Sequence, residues 1–150
     1  MADPDPILLP DLAATEALAA RLARLARPGD AILLEGPLGA GKTAFARAFL
    51  REASGDPALE VPSPSFTLVQ GYDTCLGSVQ HFDLWRLDGP AALAELGWED
   101  ARAGIVLVEW PDRLGPLRPA GALTIRLEAA DGDARRAVLS GWETRFGGAA

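Results

Sequence analysis

Cysteine is almost absent from this sequence of 150 residues, in which Cys75 is the only one. A single thiol cannot form an intrachain disulfide, so a fold held together by disulfides is excluded and a reducing compartment is indicated. No uncharged apolar run approaches the roughly 18 residues that a membrane-spanning helix needs. No segment has the pattern of a secretory signal either. We therefore expect a cytoplasmic protein that does not associate with membranes.

Basic residues are also scarce, because 14 Lys and Arg stand against 21 Asp and Glu, for a formal net charge of −7. A surface that binds nucleic acid by itself needs clustered basic side chains, so this balance argues against one. Apolar residues make up 49% of the chain, which is enough to form a hydrophobic core. The length is typical of one domain. We expect a single domain over residues 1–150.

Strand-like and helix-like segments alternate along the chain, and this order predicts an α/β fold with a mostly parallel sheet. Strands are expected at residues 6–10, 31–36, 78–87 and 104–110, and helices at 12–27, 43–53 and 89–101. Asp11 is placed to cap the first helix. Near the end, "DGD" (131–133) joins "LTIRLEA" to "RRAVLS", which predicts an added antiparallel C-terminal hairpin.

Three glycines occur within six residues of the segment "EGPLGAGKTAF" (35–45). The segment fits the pattern G-x-x-x-x-G-K-[ST] through Gly36, Gly41, Lys42 and Thr43, between a predicted strand and a predicted helix. Glycines allow backbone N–H groups to surround phosphate oxygens, and a helix N-terminus adds partial positive charge. Lys42 can reach the terminal phosphates, and the Thr43 hydroxyl can ligate Mg²⁺. This context favours a phosphate-binding loop in a three-layer, P-loop NTPase-like fold over a plain glycine-rich turn.

Two carboxylates are predicted at the ends of strands, Glu109 after "IVLV" and Asp83 in "HFDLW". Ligands of parallel α/β sheets bind at the carboxyl ends of the strands, where these side chains would meet the phosphate-binding loop. Glu109 is the candidate Walker-B carboxylate, and Asp83 is a candidate to share the metal or orient water. Alone, each is equally compatible with an ordinary surface carboxylate.

Three further signals leave alternatives open. In "SPSFT", Ser65 and Thr67 either sense the terminal phosphate, as GTPase switch loops do, or satisfy the backbone of a proline turn. His81 is more typical of a packed, hydrogen-bonded side chain than of a catalyst. Trp110 either stacks on a base or a partner, or simply covers the sheet edge.

Four segments resemble, in their order and spacing, the TsaE (YjeE) family of small bacterial P-loop ATPases: "GPLGAGKT", "SPSFTLV", "HFDLWRL" and "IVLVEWPDRL". The likeness extends from "PILLPD" to "DGDARR" and so covers nearly the whole chain. Members of that family are required for threonylcarbamoyladenosine modification of tRNA. The resemblance implies weak ATP hydrolysis by the isolated chain, two partner proteins, TsaB and TsaD, and contact with tRNA only through their complex.

The resemblance also implies roles for individual residues. ATP and Mg²⁺ are implied as cofactors, with the metal held by Thr43 and Glu109, and with Asp83 serving the metal or the hydrolytic water. The catalytic set is then Lys42, Asp83 and Glu109. The residues implied to bind the nucleotide, or to lie against it, are Asp11, Leu12, Gly36, Gly39, Ala40, Gly41, Lys42, Thr43, Ala44, Ser65, Thr67, Trp110 and Gly132.

The chain departs from the family pattern at three places. Ser65 stands where threonine is usual, which keeps the hydroxyl, and Trp85 stands where tyrosine is usual, which keeps an aromatic ring. In the last hairpin, Asp133 and Ala134 precede the arginines that more often follow the glycine closely.

Two other functions are compatible with a phosphate-binding loop. A small-molecule P-loop kinase usually needs an arginine-rich lid, whereas the region after Glu109 is a proline-rich turn and a hairpin. A nucleotide-dependent regulator without turnover would bind ATP but not hydrolyse it.

Overall fold

The computed structural model describes residues 6–37 and 39–142 of the chain. Within these residues seven strands form one sheet in the order β1-β7-β6-β2-β5-β4-β3. The strands are β1 (Ile7–Leu9), β2 (Ala31–Glu35), β3 (Val69–Thr74), β4 (Gly77–Asp83), β5 (Ile105–Glu109), β6 (Leu123–Ala129) and β7 (Arg135–Ser140). The four central strands, β6, β2, β5 and β4, run parallel. The predicted parallel sheet is confirmed for this centre.

Both edges of the sheet are antiparallel. The predicted C-terminal hairpin is confirmed as the pairing of β6 with β7, and β1 then pairs with β7 from the other side. At the opposite edge β3 pairs antiparallel with β4, so the sheet is more mixed than expected. β4 ends at Asp83 and not at residue 87, because the Asp83 carboxylate accepts the N–H of Trp85 at 3.2 Å and turns the chain.

Three α-helices are present in the described part: α1 (Leu12–Leu25), α2 (Lys42–Ser54) and α3 (Trp98–Ala101). Asp11 caps α1 as predicted, since its carboxylate accepts the N–H of Ala14 at 2.9 Å. The single helix predicted at 89–101 is wrong: a 3₁₀ segment (Pro90–Leu96) precedes α3, because Gly97 between them has a φ of +75°. A second 3₁₀ segment follows β5 (Pro111–Leu117). No helix among residues 6–37 and 39–142 combines the length and apolarity needed to cross a bilayer.

Two hydrophobic clusters cover the two faces of the sheet and make three layers, as predicted. On one face Leu34 and Leu107 pack with α1 and α2, whose contributions include Phe45. On the other face Leu33 and Val108 pack with the 3₁₀ segments and α3. Successive strand residues thus alternate between faces. The residue after Val108 is therefore directed to the face of α2, and that residue is Glu109.

Tyr72 on β3 gives a prediction about stability. Its hydroxyl is buried and has no hydrogen-bond partner within the described residues. A buried polar group without a partner costs about 1–3 kcal/mol. Tyr72→Phe is therefore expected to raise the free energy of unfolding by about 1 kcal/mol and the melting temperature by about 2–4 °C. Differential scanning calorimetry measures this, and a lower melting temperature contradicts it.

The pH dependence of the same residue provides an independent check. Burial raises the pKa of Tyr72 above its usual value of 10.0. Because the folded pKa lies above the unfolded one, ionisation of Tyr72 does not affect the free energy of unfolding below about pH 10 and lowers it as the pH rises beyond that value. Tyr72 is the only tyrosine of the chain, so absorbance reports its ionisation directly. In Tyr72→Phe, this decrease of the free energy of unfolding at alkaline pH should be absent.

Candidate nucleotide-binding site

The glycine-rich loop leads directly from β2 into α2, at the carboxyl edge of the parallel strands. Gly36 has a φ of +141°, and a Cβ atom there would overlap the main-chain carbonyl oxygen of Leu127 on β6. Gly41 precedes α2 with a φ of +101°. Side chains rarely adopt such φ values, so the bend depends on glycine. The segment bends between strand and helix, as a phosphate-binding loop must.

Lys42 begins α2 and its side chain is folded back over the loop. It is only 5% exposed, and its ammonium group donates to the carbonyl oxygen of Gly36. The same nitrogen lies 3.4 Å from the ring centre of Trp110, in a cation–π contact. Burial lowers the pKa of Lys42, while the nearby carboxylates, Glu109 first, oppose that shift. The positive charge of the motif lysine is thus held within the site.

Thr43 connects the loop to the carboxylate of β5. Its hydroxyl donates to Oε1 of Glu109 at 3.1 Å. Asp83 is the register partner of Glu109 on the neighbouring parallel strand β4. Both carboxylates are almost wholly buried. The structure therefore brings together the three residues predicted to hold a metal.

These donors fit Mg²⁺ better than a metal that needs a complete protein cage. Thr43, Asp83 and Glu109 offer only oxygen ligands, which Mg²⁺ prefers. In the described part of the chain, no three His, Cys, Asp or Glu side chains group into a metal cluster. Mg²⁺ typically keeps several waters and uses phosphate oxygens of the substrate, so a small set of protein ligands suffices.

The segment "SPSFT" contacts the site through one residue. Ser65 donates from its hydroxyl to Oδ2 of Asp83 at 3.3 Å, and it also hydrogen-bonds to the Ser63 hydroxyl at 2.8 Å. Thr67, two residues later in the same turn, has an exposed side chain, and no hydrogen bond among the described residues joins it to Asp83. Ser65 is thus placed beside a predicted site residue, whereas Thr67 is not brought to it.

Two tryptophans are in ring contact at the site, and one of them, Trp110, lies against the lysine. Trp110 adopts a left-handed backbone conformation with a φ of +59° directly after Glu109, and its ring centre is 4.4 Å from that of Trp85. Trp85 is partly exposed. The sequence singled out Trp110 but gave no sign of this stack. The two rings meet because each follows a carboxylate at the end of a neighbouring strand.

A cavity of about 550 Å³ opens beside the first turn of α2. Its lining residues are Asp11, Leu12, Ala13, Thr15, Gly41, Ala44, Asp133 and Arg135. Four of them were predicted at the site, namely Asp11, Leu12, Gly41 and Ala44. Gly132 lies in the neighbouring turn with a φ of +60° and does not line the cavity, whereas the next residue does. The volume is in the range of small-ligand sites, roughly 300–1,000 Å³.

Two contacts at the site were not predicted. Arg135 on β7 donates to the carbonyl oxygen of Gly39 at 3.2 Å. The His81 Nε2 atom is 2.7 Å from Oε2 of Glu109, and both side chains are buried. His81 is packed and hydrogen-bonded, as expected, but the sequence did not identify its partner. Its place two residues before Asp83, on the same face of β4, was the available signal.

A glycine-rich loop between a central parallel strand and a helix, with carboxylates at the next two strand ends, defines a protein with a P-loop NTPase-like fold. Residues 9–138 match a family described as Threonylcarbamoyl adenosine biosynthesis protein TsaE. This match covers most of the chain, and the chain belongs to the TsaE family.

Individual relatives agree with this assignment. The chain is 38% identical over 122 residues to the tRNA threonylcarbamoyladenosine biosynthesis protein TsaE of Rickettsia felis, covering 81% of this chain and 71% of that protein. It is 33% identical over 134 residues to the protein of the same name from Bacillus subtilis, covering 88% and 82%. The crystal structure of Bacillus subtilis YdiB is similar with a TM-score of 0.77 and 29% identity, covering 98% of this chain and 91% of that chain.

Proposed function

We propose that this TsaE-family chain binds and hydrolyses ATP with Mg²⁺, as a cytoplasmic subunit of the bacterial machinery that makes threonylcarbamoyladenosine in tRNA. It acts with the TsaB and TsaD proteins and reaches tRNA only through them. The names of its relatives support the pathway. The observation that carries the ATPase proposal is the hydrogen bond between Thr43 and Glu109 at the start of α2, beside Lys42.

The phosphates of ATP are bound by the loop and by the N-terminus of α2. The backbone N–H groups that surround the phosphate oxygens include those of Gly39, Ala40 and Gly41, and the helix adds partial positive charge. Lys42 moves from the Gly36 carbonyl to a phosphate, because an anionic acceptor makes the stronger hydrogen bond. The lysine thereby neutralises charge on the terminal phosphates.

The metal is held by the Thr43 hydroxyl and the carboxylates of Glu109 and Asp83. Bound Mg²⁺ would neutralise the charge that develops on the transferred phosphoryl group. Asp83 also accepts a hydrogen bond from Ser65, so a change at the terminal phosphate reaches the segment "SPSFT". This contact supports a switch role for Ser65, and Thr67 joins it only if the turn rearranges.

The adenosine half occupies the cavity beside α2. Leu12 and Ala44 offer apolar contact there, while Asp11 and Arg135 offer polar groups. Gly132 approaches the nucleotide through the turn that carries Asp133. Trp110 contacts Lys42 and is not among the residues that line this cavity, which supports a place beside the phosphates rather than beside the base.

The partners supply groups that speed the reaction. A positioned arginine speeds phosphoryl transfer by about 10³–10⁵-fold, and Arg135 donates to the carbonyl oxygen of Gly39 instead of standing free beside the loop. A weak isolated ATPase that is stimulated by TsaB and TsaD is therefore expected. The acidic balance of the chain suits docking on proteins more than direct binding to tRNA.

Glu109→Ala tests this function. The substitution is expected to lower ATP hydrolysis about 100-fold or more, since metal ligation contributes several kcal/mol to transition-state stabilisation. ATP binding in EDTA should change little, because the loop and Lys42 remain. Phosphate release is measured with and without TsaB and TsaD. Glu128→Ala is the matched control, because Glu128 lies near the end of β6 but is surface-exposed and paired with Arg126.

Three outcomes decide against the proposal. Equal turnover by wild type and Glu109→Ala contradicts the assigned site. Phosphorylation of a small-molecule acceptor without partners identifies a kinase. ATP binding without turnover, even with both partners, identifies a nucleotide-dependent regulator.

A further inference from the structure

His81 is the only histidine of the chain and lies completely buried on β4, two residues before Asp83. Its Nε2 atom is 2.7 Å from Oε2 of Glu109. The Thr43 hydroxyl is 3.1 Å from the other carboxylate oxygen, Oε1, and 3.4 Å from Oε2, so its shorter hydrogen bond is to Oε1. The Glu109 carboxylate is therefore held from two sides, by His81 on β4 at Oε2 and by Thr43 on α2 mainly at Oε1.

The surroundings of the second ring nitrogen indicate where the hydrogen of His81 lies. Within the described residues, Nδ1 is buried and has no hydrogen-bond partner. An N–H at Nδ1 would be an unsatisfied buried donor, which is rarer in folded proteins than an unsatisfied acceptor. A hydrogen on Nε2 instead has the Glu109 carboxylate as its acceptor. We therefore assign the hydrogen to Nε2, with His81 donating to Glu109.

We propose that His81 is a positioning residue that fixes the Glu109 carboxylate, occupying Oε2 so that Oε1 faces Thr43. The inference rests on the proposed function of the site and deepens it. Groups that hydrogen-bond to metal ligands orient them, and their loss typically costs about 10–100-fold in metal affinity or activity. His81 acts through Glu109 and needs no contact with the nucleotide.

Two substitutions separate positioning from packing. His81→Gln keeps an N–H donor on a side chain of similar reach, whereas His81→Leu keeps apolar volume and removes the donor. A residue that only fills the core would respond to both changes through stability alone. A positioning residue responds to the loss of the donor through the metal dependence of the site.

The first test reads the hydrogen bond directly. Because His81 is the only histidine, the ¹⁵N spectrum of the full chain, free of any added histidines and labelled at histidine, contains one ring. We expect the Nε2–H tautomer, with an Nε2 resonance that shifts in Glu109→Ala. An Nε2 that carries no hydrogen, or a resonance that Glu109→Ala leaves unchanged, overturns the proposal. This test requires no nucleotide, so it is decided even if the chain hydrolyses no ATP.

The second test is the Mg²⁺ dependence of ATP binding, measured by calorimetry at increasing Mg²⁺ concentration. His81→Leu is expected to raise the half-saturating Mg²⁺ concentration about 10–100-fold, and His81→Gln to restore it to within about threefold of wild type. Affinity for ATP in EDTA should be the same in all three proteins. An unchanged Mg²⁺ requirement in His81→Leu, or an equal loss of metal-free binding in both variants, overturns the proposal. If His81→Leu does not fold, the proposal is decided by the hydrogen on Nε2 of His81 in wild type and by the Mg²⁺ requirement of His81→Gln.

Discussion

Gly36→Ala is expected to lower the free energy of unfolding by about 3–5 kcal/mol and the melting temperature by about 6–20 °C. The φ of Gly36 is +141°, where a residue with a side chain is strained. The added Cβ would also overlap the carbonyl oxygen of Leu127 and come within 3.2 Å of the Ala40 Cβ. The first of these neighbours is main chain of a central strand, and it cannot move aside without disturbing the pairing of β6 with β7, in which Leu127 is the register partner of Ala137.

Gly39→Ala is the matched control, from the same loop. Gly39 also has a positive φ, +80°, but nothing lies within 4 Å of where its Cβ would be. Only the backbone strain applies, so the expected cost is about 1–2 kcal/mol. Thermal unfolding of both variants measures the difference. Equal melting temperatures would show that contact with β6 does not decide the requirement for glycine at position 36.

Local signals in the sequence were sufficient for most of the fold. The apolar run "IVLV" predicts a central buried strand, and the turn "DGD" predicts the last hairpin, since neither depends on distant contacts. The helix predicted at 89–101 failed because Gly97 adopts a left-handed conformation, which helix-like composition on both sides conceals. Pairing of β1 with β7 and of β3 with β4 was not predictable, since no short pattern indicates which strands lie at the edges.

At the candidate site too, local patterns predicted single residues but not the contacts between distant segments. Lys42 and Thr43 follow from a contiguous motif, and Glu109 follows from the end of a strand. Contacts between distant segments do not have such a signal. Arg135 reaches the Gly39 carbonyl only because the register of β7 on β6 places it there. The pairing of His81 with Glu109 likewise depends on the parallel register of β4 with β5.

Lys42→Ala is expected to weaken ATP binding by about 100-fold or more. Hydrogen bonds to charged groups contribute about 1.5–3 kcal/mol each, and one ammonium group between two phosphates makes about two of them. Since about 1.4 kcal/mol corresponds to a tenfold change in affinity, the loss of both bonds accounts for this magnitude. Isothermal titration calorimetry in EDTA and in Mg²⁺ measures it. Arg47→Ala, on the same helix, controls for the loss of one positive charge.

The folded-back position of Lys42 provides a second measurement of ATP binding, the tryptophan fluorescence. In the structure the Lys42 ammonium group lies over the Trp110 ring, 3.4 Å from its centre, and it has to leave that ring to reach a phosphate. ATP should therefore change the tryptophan fluorescence of wild type and of Trp85→Phe, and should not change that of Lys42→Ala at concentrations that saturate wild type. Lys42→Arg keeps the charge but not the compact ammonium group, so its affinity for ATP should lie between that of wild type and that of Lys42→Ala. If Lys42→Ala binds ATP as tightly as Arg47→Ala does, the lysine does not bind the phosphates and the assignment of this site is wrong.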